Sequence, residues 1–103
     1  MSASYTLSRP GLRRRTLRVE VRADGPLPEL VLIARTGQVP PRTPVDGRAI
    51  ARIPAGGPER SRSVDVPLGQ AHLPWAVRLL PAAGSGAPGL ALRHPKDADL
   101  VVR

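Results

Sequence analysis

A chain of 103 residues with a formal net charge of +8 and no cysteine has room for one domain around a single core. It excludes disulfides, thiolate metal ligands and a cysteine nucleophile. No apolar stretch approaches the ~20 residues of a membrane span or forms a secretory segment beside the basic N-terminal cluster, so a cytoplasmic protein without membrane contact is expected.

Lys96 is the only lysine, so the positive charge is almost wholly arginine. Its company of Ala, Gly and Pro fits the codon bias of a GC-rich genome, with arginines scattered over solvent faces. A basic surface counts towards nucleic-acid binding only where it clusters.

In chain order, residues 1–4 are expected as an unstructured lead, followed by a weak first strand at Tyr5 to Leu7. "TLRVEVRA" then alternates strictly, with Leu17, Val19, Val21 and Ala23 on one face and Thr16, Arg18, Glu20 and Arg22 on the other. Period two with β-branched residues predicts a half-buried strand. Asp24-Gly25 turns the chain, and Pro26 and Pro28 lengthen the connection. The continuous apolar run from Leu30 to Ala34 reads as a central strand covered on both faces.

"RTGQVPPRTPVDG", Arg35 to Gly47, reads first as a connector stiffened by proline. Its Pro41-to-Pro44 spacing could dock an SH3-like groove as polyproline II, but a short tether between two strands is already fixed by its ends. A strand at Arg48 to Ile53 follows, its arginines placing it at a sheet edge. "SVDVPL" puts Val64, Val66 and Leu68 on one face, with Pro67 ending the strand or marking an edge. In "PWAVRLL", Trp75, Val77 and Leu79 point inward. "GLALR" and "DLVVR", separated by "HPKDA", predict a hairpin or a kinked last strand. Thirteen prolines interrupt every stretch that could carry a helical period, so no substantial helix is expected.

Motifs of chemistry are weak. "GSGAPG", Gly84 to Gly89, matches G-x-G-x-x-G, but Pro88 and "LALR" lead into a strand where phosphate binding needs a helix N-terminus. The only histidines, His72 and His94, have no further ligands at metal-binding spacing. A Ser-His-Asp site from Ser61 or Ser63, either histidine and Asp65 lacks any local signature. No enzyme, cofactor or metal site is predicted.

The one charge cluster, "GLRRRTLR", offers Arg13, Arg14, Arg15 and Arg18 as phosphate contacts in an alternative reading as a non-specific nucleic-acid-binding domain. Against this, Tyr5 and Trp75 are the only aromatic rings on which a base could stack.

The order of strands and the stretch "VLIARTGQVPPRTPVDGRAI" resemble the C to C′ region of bacterial fibronectin type III-like domains. The whole chain lies along that pattern, with A near Tyr5, B at Leu17 to Ala23, C at Leu30 to Arg35, C′ at Arg48 to Ile53, E at Arg62 to Leu68, F at Trp75 to Leu80 and G from Leu90. It departs in lacking a tryptophan in B and a tyrosine at the start of F. The resemblance implies an all-β, antiparallel, immunoglobulin-like sandwich of about seven short strands. It also implies a non-enzymatic spacer or protein-interaction module, an accessory part of a larger protein or complex. Binding residues concentrate on loops held by a rigid scaffold, which selects Arg35, Gln38, Arg42 and Asp46 in the C–C′ loop. Arg48 and Arg52 follow for strand addition at the adjacent edge.

Overall fold

A computed structural model describes residues 2–9, 16–56, 61–68, 73–82 and 90–103. Among these there is no α-helix, and no helix long and apolar enough to cross a membrane. Eight strands form: β1 (Ser2–Ser8), β2 (Thr16–Ala23), β3 (Leu30–Thr36), β4 (Arg48–Ile53), β5 (Ser61–Pro67), β6 (Trp75–Pro81), β7 (Ala91–Arg93) and β8 (Val101–Val102). They build two four-stranded sheets, ordered β5-β2-β1-β7 and β4-β3-β6-β8, antiparallel throughout except where β1 runs parallel to β7.

The alternation in β2 determines the first sheet. Leu17, Val19 and Val21 are buried while Glu20 and Arg22 face solvent. Cross-strand partners continue the pattern, with Leu17 opposite Val66, Val19 opposite both Val64 and Leu7, and Val21 opposite Tyr5. β1 begins at Ser2, ahead of the expected Tyr5, so residues 2–4 pair with β2 and β7 and do not trail free. Asp24 holds this start by accepting hydrogen bonds from the Ser2 backbone N–H at 3.0 Å and from its hydroxyl at 3.2 Å. Those bonds, the backbone one first, lower the Asp24 carboxyl below its ordinary range.

β3 is central to the second sheet, as its continuous apolar run predicts. Leu30, Leu32 and Ala34 face the inter-sheet core with Val77, Leu79 and Leu100, whereas Val31 and Ile33 form a smaller outer cluster with Ala82. Each fully buried Leu or Ile contributes about 1.5–3 kcal/mol relative to exposure. Both β4 and β5 are edge strands, consistent with Arg48 and Arg52 in one and Pro67 in the other. β4 carries a bulge between its Leu32–Ala51 and Ile33–Ala49 pairs. This irregularity blunts the edge as a template for pairing.

The final segment differs from a hairpin. β7 pairs with β1 in one sheet and β8 with β6 in the other, so the chain crosses the open side of the sandwich between them. Pro95 denies a ladder donor at the crossing. The 3-10 turn Asp97–Leu100 completes it with Leu100 fully buried. This crossing raises the strand number to eight, where about seven were expected.

Candidate functional site

The connection from β3 to β4 is a folded object. Gly37 starts the reversal at φ 104°, in the left-handed region that favours glycine, and donates its N–H to the Pro74 carbonyl at 3.0 Å. Pro40 and Pro41 are buried. Burial of Pro41 removes the first contact residue of the Pro41-to-Pro44 spacing, so the loop cannot present that motif to an SH3-like groove. The Asp46 N–H donates to the Thr43 carbonyl at 3.0 Å, closing a turn.

Asp46 is the knot of this loop. Its carboxylate accepts the Arg42 backbone N–H at 3.0 Å and Arg35 Nη1 at 3.2 Å from each oxygen. The end of β3 is thereby tied to the return of the loop. Arg35 and Asp46, two of the candidate contacts, are thus occupied in holding the loop itself. Arg52 pairs with Glu29 at 3.3 Å, an exposed contact of the kind worth roughly 0–1 kcal/mol. Gln38 and the guanidinium groups of Arg42 and Arg48 make no hydrogen bond or ion pair among the described residues. The structure therefore brings Arg35, Arg42 and Asp46 together and leaves Gln38, Arg42 and Arg48 presenting free polar groups around them.

Sequence reasoning missed the two apolar members of the loop. Val39 is 63% exposed and Val45 is 91% exposed, and they are the exposed large hydrophobic residues among those described. Valine inside a proline-rich connector, outside any strand pattern, was the available signal.

Of the residues of the nucleic-acid alternative, Arg18 alone is described. Arg13, Arg14 and Arg15 lie outside the described residues. Arg18 grips Asp65 in a two-pronged pair, Nε to Oδ1 at 2.8 Å and Nη2 to Oδ2 at 3.2 Å, a geometry with fixed orientation. The Arg18 hydrogen bond, ahead of the charge attraction that adds to it, holds the Asp65 carboxyl below the usual carboxylate range.

A second polar cluster sits where the last segment crosses between sheets. Tyr5 is buried, and its hydroxyl oxygen accepts the Leu79 backbone N–H at 3.1 Å while its O–H faces His94 Nδ1 at 2.8 Å. When Tyr5 donates this bond, the ring is neutral with its own proton on Nε2; when Nδ1 carries the proton, the hydroxyl oxygen accepts from it. The two rings meet edge to face, centroids 5.4 Å apart. Arg78 stands nearby, 3.7 Å from the Asp97 carboxylate, with Nε buried and without a hydrogen-bond partner.

Desolvation first, and then the Arg78 charge, depress the His94 pKa below its ordinary 6.5, with Asp97 opposing. A histidine whose folded-state pKa is depressed contributes stability that is complete above the unfolded value and lost as pH falls through the folded one. Melting temperature is therefore expected to decline as pH drops below about 6.5. His94→Gln should flatten that limb, and an unchanged slope in this variant would assign the decline to other groups.

His72, Gly84 and Gly89 lie outside the described residues. Ser61, Ser63 and Asp65 are on or beside β5 at one edge of the first sheet, and His94 follows β7 at the opposite edge. No Ser-His-Asp site is assembled from them. Among the described residues no three His, Cys, Asp or Glu side chains gather as a metal ion would require. No protein family model, curated protein or solved structure matches the chain.

Proposed function

We propose that the protein is a non-enzymatic interaction module, an accessory domain that docks a partner protein through the β3–β4 loop. The observation that carries this reading is the pair Val39 and Val45, held out to solvent on a loop whose backbone is fixed by Asp46, Arg35 and buried prolines. Apolar side chains on a rigid loop bind with little loss of chain entropy, because the ordering cost is met on folding. Arg42 and Arg48 add cations at the rim that select an acidic partner and speed its approach.

A fibronectin type III-like or immunoglobulin-like identity belongs to the same proposal. Its support is the order β5-β2-β1 in one sheet and β4-β3-β6-β8 in the other, which parallels A, B and E against C′, C, F and G, with β7 as an additional strand beside β1. The cysteine-free sequence suits a reducing compartment such as the cytoplasm.

The test is comparative capture. The wild-type chain, immobilised, should retain a defined protein from a lysate of its source. A Val39→Ser/Val45→Ser variant with unchanged melting temperature should lose it. Retention of the same proteins by both would refute docking through this loop.

A further inference from the structure

At the end of the sandwich where β3 finishes and β6 begins, a cavity of about 250 Å³ opens between Ala34, Arg35, Thr36, Arg48, Ile50 and Trp75. Its position follows from register. Thr36 lies opposite Trp75 on one neighbouring strand, and Ala34 opposite Arg48 on the other. Trp75 and Arg48 therefore flank β3 on either side, two strand spacings apart and staggered by two residues along it.

The β4 bulge supplies the third wall. Ala51 pairs with Leu32 and Ala49 with Ile33, leaving Ile50 as the extra residue between them. A bulge re-aims side chains, and Ile50 contributes to the cavity while packing against the core. Trp75 was expected to point inward like Val77 and Leu79. Those two are fully buried, but Trp75 is only half-buried, so part of its ring is available at the cavity. Tryptophan in a partly desolvated pocket beside arginine is the residue type on which binding energy concentrates.

Charge distinguishes the two arginines at the rim. Arg35 is neutralised by Asp46, whereas Arg48 has no carboxylate partner among the described residues. We infer that this cavity anchors a partner segment by receiving one bulky aliphatic or aromatic side chain against Trp75, with Arg48 pairing an adjacent carboxylate of that segment. The occupant is an acidic stretch of protein carrying a single apolar anchor. The cavity has room for one such side chain, and a chain of net charge +8 draws an acidic segment towards it. This inference rests on the protein-interaction reading and names the chemistry of the partner.

Trp75 is the only tryptophan, so its fluorescence reports the site directly. The full chain is titrated with three peptides: Asp-Asp-Leu-Asp-Asp, the same with Ala in place of Leu, and Lys-Lys-Leu-Lys-Lys. The Leu-bearing acidic peptide should change Trp75 emission saturably. Replacing Leu by Ala should weaken binding at least about tenfold, and the basic peptide should give no saturable change. Arg48→Glu, an exposed substitution, should weaken the acidic peptide by a similar factor. The inference fails if millimolar acidic peptide leaves emission unchanged, if Leu and Ala peptides respond alike, or if Arg48→Glu has no effect. Should the titration fail while Val39→Ser/Val45→Ser still abolishes capture, only the cavity assignment falls. Failure of both removes the interaction reading as well.

Discussion

Replacing Tyr5 by Phe is expected to destabilise the fold by about 1–3 kcal/mol, the cost of leaving a buried backbone donor without its acceptor, and Tyr5→Ala by about 3–5 kcal/mol because the ring is lost as well. Phenylalanine keeps the ring that packs opposite Val21 but removes the oxygen that receives the Leu79 N–H. In a regular sheet that N–H would pair with the next strand. Here β8 pairs with β6 only at Trp75 and Ala76, since the chain reaches it from the other sheet. The Tyr5 hydroxyl stands in for the missing strand and extends from there to His94, joining β1, β6 and the crossing segment. Thermal or urea denaturation of both variants measures the effect. For a domain of this size each kcal/mol lowers the melting temperature by roughly 4–8 °C.

The same hydroxyl gives an independent readout. Burial, opposed by the Leu79 N–H and by the Arg78 charge, pushes the Tyr5 pKa up from 10.0 to about 12. A raised folded-state pKa means stability that is fully present below pH 10 and is lost as pH climbs towards 12. Tyr5 is the only tyrosine, so one ultraviolet titration of the phenol should give a single transition well above pH 10. An ordinary titration in the folded protein, or a Tyr5→Phe variant as stable as the wild type, would show that the hydroxyl is not buried between the sheets.

The strands with a full pattern could be read without coordinates. Leu17, Val19 and Val21 alternate long enough to define a face, and Leu30 to Ala34 run long enough to demand cover on both sides. The last segment lacked that information. β7 has three residues and β8 two, too few for a period, and their choice of sheets depends on Leu100 entering the core and on Tyr5 capping an edge far away in sequence. The loop was legible as a connector but not as a packed element. Proline in a connector ordinarily stiffens exposed chain, and no periodic pattern in the sequence marks Pro40 and Pro41 as buried. A loop position marks Arg35 and Asp46 as contacts, whereas they act as the loop's internal tie. Val39 and Val45 stand outside any strand pattern, so no period marks them as a pair.

The close fit of that loop on β3 leads to the second expectation, that Gly47→Ala destabilises the protein by about 1–3 kcal/mol, the usual cost of forcing atoms into occupied space. A Cβ at Gly47 would lie 2.5 Å from the Ala34 carbonyl oxygen and 2.9 Å from Ile33 Cγ2. The nearer obstacle is backbone in a central strand, so it cannot swing aside, and relief requires the loop to lift from β3. Lifting would strain the Arg35–Asp46 tie and loosen the presentation of Val39 and Val45, so partner capture should weaken together with stability. Gly37 provides the contrast. Nothing lies within 4 Å of its added Cβ, yet its φ of 104° is one that other residues rarely adopt, so Gly37→Ala costs conformational strain of about 1–3 kcal/mol without a clash. Shortening the Ile33 side chain separates the two causes. Ile33→Ala removes the Cγ2 contact but not the carbonyl contact, so it should recover part of the Gly47→Ala penalty in a double-mutant cycle and none of the Gly37→Ala penalty. Equal stability of Gly47→Ala and the wild type would mean that the loop stands clear of β3, and its role as a preorganised docking surface would go with it.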